Sequence, residues 1–180
     1  TAVVIGLGFK IPLGTHNDSS VTIPASSWNP NDIYQMNPPM LQVTNGSQDL
    51  MLNSFFFREY QKSKFRFFIS SLYVKKGYNS LGIKYGDYTS VGFFASKTVF
   101  YRWGVTTQLK AENIGQIQSA DNIDLEGSYS ILPESTGSKK WFFIPQLSYS
   151  ENGLTVYATS EIPLYQYLNG TQIGSQNQFT

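Results

Sequence analysis

The chain has 180 residues, of which 14% are charged and 16% aromatic, with a formal net charge of +1 and no cysteine. An ordinary soluble domain carries roughly 25% charged residues, so this balance suits a molecule with a large apolar exterior, and the small net charge offers neither a field for nucleic acid nor a basic arm for an acidic partner. The lack of cysteine removes disulfides, thiolate metal sites and cysteine nucleophiles together.

From Val3 to Ile11 the odd positions are Val3, Ile5, Leu7, Phe9 and Ile11, while the even ones include Gly6, Gly8 and Lys10. Period-two alternation places successive side chains on opposite faces of a strand. A long polar stretch, Gly14 to Ser47, follows, and then Asp49 to Tyr60, which carries apolar residues on both faces and is ambiguous. Gln61-Lys62-Ser63 reads as a tight turn into Lys64 to Lys76, which alternates with a blemish at Phe68, on the polar side. Gly77 to Gly86 is a second polar loop and Ser96-Lys97 a second tight turn. Beyond it Val99, Tyr101, Trp103, Val105 and Leu109 share one face, with Arg102, Thr106, Gln108 and Lys110 opposite. Ala111 to Lys140 is a third loop, and Trp141 to Ser150 alternates with Ile144 and Pro145 out of phase. Glu151-Asn152-Gly153 makes the third tight turn, after which Leu154, Val156, Ala158 and Ile162 oppose Thr155, Tyr157, Thr159 and Glu161. The loop from Asn169 to Gln176 leads to a last segment near Asn177-Gln178-Phe179.

No stretch approaches the ~20 consecutive apolar residues of a membrane-crossing helix. Strict alternation of short and long connections is instead the wiring of a transmembrane β-barrel, with short periplasmic turns and longer external loops. The long segments match the ~9 to 11 residues of a tilted bilayer crossing, whereas strands of soluble domains commonly run ~5 or 6. The expected fold is all-β, an antiparallel up-and-down transmembrane β-barrel. About eight of its strands are legible here, within a larger barrel. Residues 1–180 then form one outer-membrane domain, incomplete at both ends, with an export signal removed or the chain starting partway, and the final strand cut short at Thr180.

On this reading Val3, Ile5, Leu7, Phe9, Trp103, Val105 and Val156 face lipid, and Asn53, Arg66, Arg102, Gln108, Lys110, Tyr157 and Glu161 face the lumen. There the charges either bias which solutes pass or fill the lumen, with Arg102, Arg66 and Glu161 pairing across it. Tyr60, Tyr73, Trp141, Tyr149, Tyr165 and Tyr167, near segment ends, are candidates for interfacial girdles.

Catalytic chemistry finds little to work with, and no catalytic residue, metal or cofactor is expected. His16, the only histidine, sits in a polar loop, which leaves no histidine-based triad or multi-histidine metal site. Asp121, Asp124 and Glu126 lack the glycine and terminal glutamate of a calcium loop, so a solvated external loop is preferred to a site for calcium or for divalent bridging to lipopolysaccharide. Gly6-Leu7-Gly8 lies within a strand with no helix after it, unlike a phosphate loop. Asn17-Asp18-Ser19, Asn45-Gly46-Ser47 and Asn169-Gly170-Thr171 match the glycosylation acceptor pattern and are read as ordinary loop chemistry.

The stretches Gly6 to Gly14 (GLGFKIPLG), Gln42 to Leu50 (QVTNGSQDL), Tyr85-Gly86-Asp87 and Glu161 to Gln172 (EIPLYQYLNGTQ) resemble Gram-negative outer-membrane β-barrel proteins. That group is described as transporter-like or related to the phenol-degradation outer-membrane family. The resemblance is to Bacteroidetes members and to the C-terminal portion of such barrels. It implies passive, porin-like movement of small hydrophobic solutes across a bacterial outer membrane, with outer-membrane lipid and lipopolysaccharide as partners. Two alternatives stand beside it. One is an accessory barrel that binds other envelope proteins, for which Trp28, Pro30, Tyr34, Met36, Pro38, Pro39 and Met40 in the first loop would suit docking. The other is a secreted soluble β-sandwich that binds carbohydrate through loop aromatics.

Overall fold

The computed structural model describes residues 1–25, 30–37, 41–120, 123–129 and 131–180. In chain order these form β1 (Ala2–Lys10), β2 (Ser19–Ile23), β3 (Ile33–Met36), β4 (Asp49–Tyr60), β5 (Phe65–Lys75), β6 (Ile83–Lys84), β7 (Tyr88–Val99), β8 (Trp103–Ile114), β9 (Gln118–Ser119), helix α1 (Leu125–Tyr129), β10 (Ser138–Glu151), β11 (Leu154–Leu168) and β12 (Gln178–Phe179). One eight-stranded sheet has the order β1-β4-β5-β7-β8-β10-β11-β12, every neighbouring pair antiparallel. Each long strand therefore pairs with the next long strand in sequence, which is an up-and-down meander. β2 and β3 make a small hairpin within the first long loop, and β6 and β9 pair antiparallel between the second and third.

Connections alternate as expected, though one turn is displaced. Short links at one end are the 3-10 turn Gln61–Ser63, the three residues Phe100 to Arg102, and Asn152-Gly153. The four long loops lie at the other. Asn152 and Gly153 have φ of 50° and 81°, the paired left-handed conformation of a two-residue hairpin turn. The expected turn at Ser96-Lys97 is corrected: both residues lie in β7, opposite Arg66 and Phe65. The chain reverses instead at Phe100 and Tyr101, with φ of 51° and 56°. Bulky residues in that region cost roughly 1–2 kcal/mol each and carry no turn signature, so the polar Ser-Lys pair was the better-looking choice. Tyr101 is compensated in part by Lys64, whose Nζ lies 4.5 Å from its ring centroid.

The long loops are stitched to one another. His16 Nε2 meets Ser80 Oγ at 2.7 Å, and Asn79 Nδ2 donates to Asn45 O at 3.0 Å, joining the first loop to the second. Ala120 N donates to Gly82 O at 2.8 Å, joining the second to the third. Asn169 Nδ2 donates to Thr136 O at 2.9 Å, joining the third to the fourth.

Little of this molecule is an interior. The chain exposes 12367 Å², where a compact monomer of 20.3 kDa exposes about 8,800 Å². Among the described residues the buried apolar side chains are Val74, Ile83, Leu125, Phe142 and Ile144, two of them in the loop layer. No second large sheet is present among the described residues.

Because Phe100 is 82% exposed, it loses little packing when replaced. Phe100→Asn should therefore stabilise the fold by about 1 kcal/mol through relief of the left-handed backbone, seen as a higher denaturant midpoint. An unchanged or lower midpoint would show that the turn carries no strain.

Candidate functional site

The pairing register assigns every strand residue to one of two faces. Val3, Phe56, Ile69, Phe93, Leu109 and Phe143 form one lateral row, and Gly6, Asn53, Leu72, Ser90, Glu112, Lys140 and Gln166 form a row on the opposite face. The first face is termed outer because it is exposed, with Val3, Ile5, Leu7, Phe9, Trp103, Val105 and Val156 all on it and all open to the surroundings. On this face ionisable residues occur only within three positions of a strand end, at Arg58, Lys75, Lys97, Lys139 and Glu151. Of the girdle candidates, Tyr60, Tyr73, Trp141, Tyr149, Tyr165 and Tyr167 all share it. Near the turn end Trp103 packs on Tyr149 with centroids 5.0 Å apart, and Arg58 lies 4.9 Å from the Tyr60 ring centroid.

The inner face is mixed. Over β4, β5 and β7 it is aromatic: Phe68 stacks on Phe94 at 4.1 Å and meets the tilted ring of Phe55 at 5.6 Å, which is why Phe68 and Asp49 to Tyr60 broke the simple alternation. Over β8, β10 and β11 it is charged. Lys110 Nζ pairs with Glu112 Oε1 at 2.9 Å, and Tyr88 donates its hydroxyl proton to the same oxygen at 2.9 Å. Lys110 also lies 5.3 Å from the Phe142 ring centroid, and Glu161 adds its field at Lys110. Lys140, opposite Glu112 and Gln166 in register, donates to Ser175 Oγ at 3.1 Å.

Six of the seven lumen candidates, Asn53, Arg66, Gln108, Lys110, Tyr157 and Glu161, share this inner face. Asn53 extends its amide across Gly6, where a Cβ would sit 2.1 Å from Asn53 Oδ1. The seventh, Arg102, is corrected: it lies in the displaced turn and pairs there with Glu151 at 2.7 Å. Of the two alternatives for these charges, pairing of Arg102 and Arg66 with Glu161 is not what the structure holds: Arg66 bonds Glu59 at 2.8 Å on the adjacent strand. Glu112, two residues from Lys110 and hence on its face, was legible from spacing alone. Asp124 accepts from Gly127 N at 3.0 Å, a local turn bond; Asp121, Trp28, Pro38, Pro39 and Met40 lie outside the described residues.

Sequence reading passed over the most buried carboxylate. Asp49, at the loop end of β4 and beyond the apolar belt, is 0% exposed. Its Oδ1 accepts from Ser47 Oγ at 2.7 Å and Gly77 N at 3.3 Å, and its Oδ2 meets Lys76 at 3.0 Å and Lys10 at 3.3 Å. Lys10 also donates to Asn45 Oδ1. The node thus ties β1, the first loop and the second loop to β4. Burial pushes the Asp49 carboxyl up, but the bonds from Ser47, Lys76 and Gly77 with the Lys76 charge outweigh it and hold it below the usual carboxylate range.

A depressed folded-state value means that Asp49 stabilises the protein above its ordinary value of 3.8 and that this contribution is lost as pH falls through the lower folded value. Asp49→Asn should cost about 2 kcal/mol at neutral pH, because it leaves two lysines unpaired. The variant should also flatten the loss of stability below about pH 4. Denaturation midpoints of both proteins from pH 3 to pH 7 check this, and parallel pH curves would overturn it.

Comparison with protein-family models, with curated proteins and with solved structures finds no match to this chain in any of the three.

Proposed function

We propose that the chain is a transmembrane β-barrel of a Gram-negative outer membrane that lets small, hydrophobic solutes pass passively, without catalysis. One observation carries the reading: the outer face of seven long strands is exposed, apolar, and free of ionisable groups except near strand ends. Water-soluble monomers rarely leave contiguous apolar patches larger than a few hundred Å². Lipid would cover this face while the aromatic and basic residues at its margins meet the headgroups, with Lys75 and Lys139 at the loop end suited to lipopolysaccharide phosphates.

Closure into a barrel belongs to the same proposal. Backbone groups at a sheet edge cannot remain unpaired in hydrocarbon. β1 and β12 run in opposite directions at the two edges of the eight-stranded order, as the closing pair of an even-stranded antiparallel barrel must. Resemblance at Gly6 to Gly14 and Glu161 to Gln172 supports the same family of barrels. The inner phenyl rings supply an apolar side to the path.

An accessory role within an envelope complex is the second reading. It is favoured by the stitched loop layer, which offers a continuous surface, and by Tyr34, 61% exposed on the β2–β3 hairpin.

Leu109, on the outer face and distant from both ends of β8, separates membrane from soluble readings. In phospholipid vesicles Leu109→Arg should lower folding stability by about 2–4 kcal/mol. At an exposed position of a soluble protein such a change stays within about 0.5 kcal/mol. Refolding titrations in vesicles measure the difference, and a near-zero effect would sink the lipid-facing assignment. Conductance or vesicle swelling with the wild-type chain tests passage, and a folded but silent barrel would favour the accessory role.

A further inference from the structure

The connection between β11 and β12 takes an unusual course. Its backbone joins the sheet edge where Gln178 and Phe179 pair with Glu161 and Ser160 and Thr180 exchanges bonds with Thr159, far down β11 from Leu168. Over the intervening span it is held by inner-face side chains. Ser175 N donates to Gln166 Oε1 at 2.7 Å, and Gln166 Nε2 donates back to Ser175 O at 2.8 Å. Lys140, directly opposite Gln166, donates to Ser175 Oγ at 3.1 Å. The side-chain amide of Gln166 thus does for Ser175 what a neighbouring strand's backbone would do, and the segment lies across the inner face. Its upper end is tied to the rim. Gln172 Nε2 donates to Gly137 O at 2.8 Å, and Thr171 N donates to Ser135 Oγ at 3.3 Å.

We infer that residues 169–177 form a strap folded over the inner face, pinned by Gln166 and Lys140, that narrows the path for solutes. The inference rests on the barrel reading above. The pinning bonds number three and are side-chain bonds facing a hydrated space, so they exchange with water more readily than a sheet ladder. Release of the strap widens the path and frees the Lys140 ammonium to face it.

The test reconstitutes the 180-residue chain in planar bilayers beside a Gln166→Ala, Lys140→Met double variant. A peptide chain is about 5 Å across, so displacing it should raise single-channel conductance about twofold or more. Because the chain has no cysteine, a Leu168→Cys, Gly174→Cys pair reports the strap alone: it leaves Gln166, Ser175 and Lys140 in place, and a Cβ at Gly174 would sit 3.8 Å from Leu168 Cδ1. A short cleavable thiol cross-linker should join the two sites in folded protein, and the cross-linked form should keep the low wild-type conductance. Equal, measurable conductance in wild type and double variant overturns the strap while leaving the conduit intact. Efficient cross-linking with no conductance in any form overturns the passage reading, and the strap's role with it. Failure to cross-link in folded, conducting protein removes the strap from the inner face.

Discussion

An antiparallel sheet with one apolar face must cover that face, and the seven long strands here alternate closely enough to concentrate the demand on a single side. In a soluble domain of this length the answer is a second layer. No such layer exists among the described residues, and the exposed area is far above that of a compact monomer of the same mass. Each large apolar side chain left open forgoes about 1.5–3 kcal/mol of burial, a cost that the proposed bilayer would remove. Strand lengths, the loop alternation and the end placement of Arg58, Lys75, Lys97, Lys139 and Glu151 all answer to that one requirement.

The loop layer answers a different requirement. Four long connections would wander if each were solvated separately, and here each is hydrogen-bonded to the next, from His16 and Ser80 round to Thr136 and Asn169. Asp49 is the place where this layer is fastened to the sheet. A fully buried carboxylate is tolerable only with its acceptor positions occupied, and two lysines, a serine hydroxyl and a backbone amide supply the partners.

What could be read from sequence follows from how local each determinant is. Alternation over Val3 to Phe9 or Leu154 to Ile162 needs only the period of a strand, and both segments lie where it put them. Phe55, Phe57 and Phe68 obscured the pattern because the inner face is apolar there, held by ring contacts between strands that no single segment displays. The turn at Phe100 and Tyr101 was invisible because its residues are wrong for it, and misplacing it by four residues carried Arg102 into the wrong place. Asp49 could not be found at all by spacing, since its partners Lys10, Ser47 and Lys76 converge from three separate segments.

The division of the inner face bears on what could move along it. Pairing of Arg102, Arg66 and Glu161 with one another, one of the two alternatives for these charges, would have made a polar plug. Instead the pairs are lateral: Arg66 with Glu59 on the adjacent strand, and Lys110 with Glu112 two residues along the same one. Lateral pairing satisfies these charges within the sheet's own face. It also leaves the phenyl rings of β4, β5 and β7 on that face without charged neighbours on their own strands' central positions. On the proposed reading, a solute with an apolar body and a polar end would lie against the rings with its polar end toward Lys110, Glu112 or Tyr88. In the proposed conduit such a wall would favour solutes of that kind over bare ions, because Arg66, Glu59, Lys110 and Glu112 are already paired beside the aromatic side.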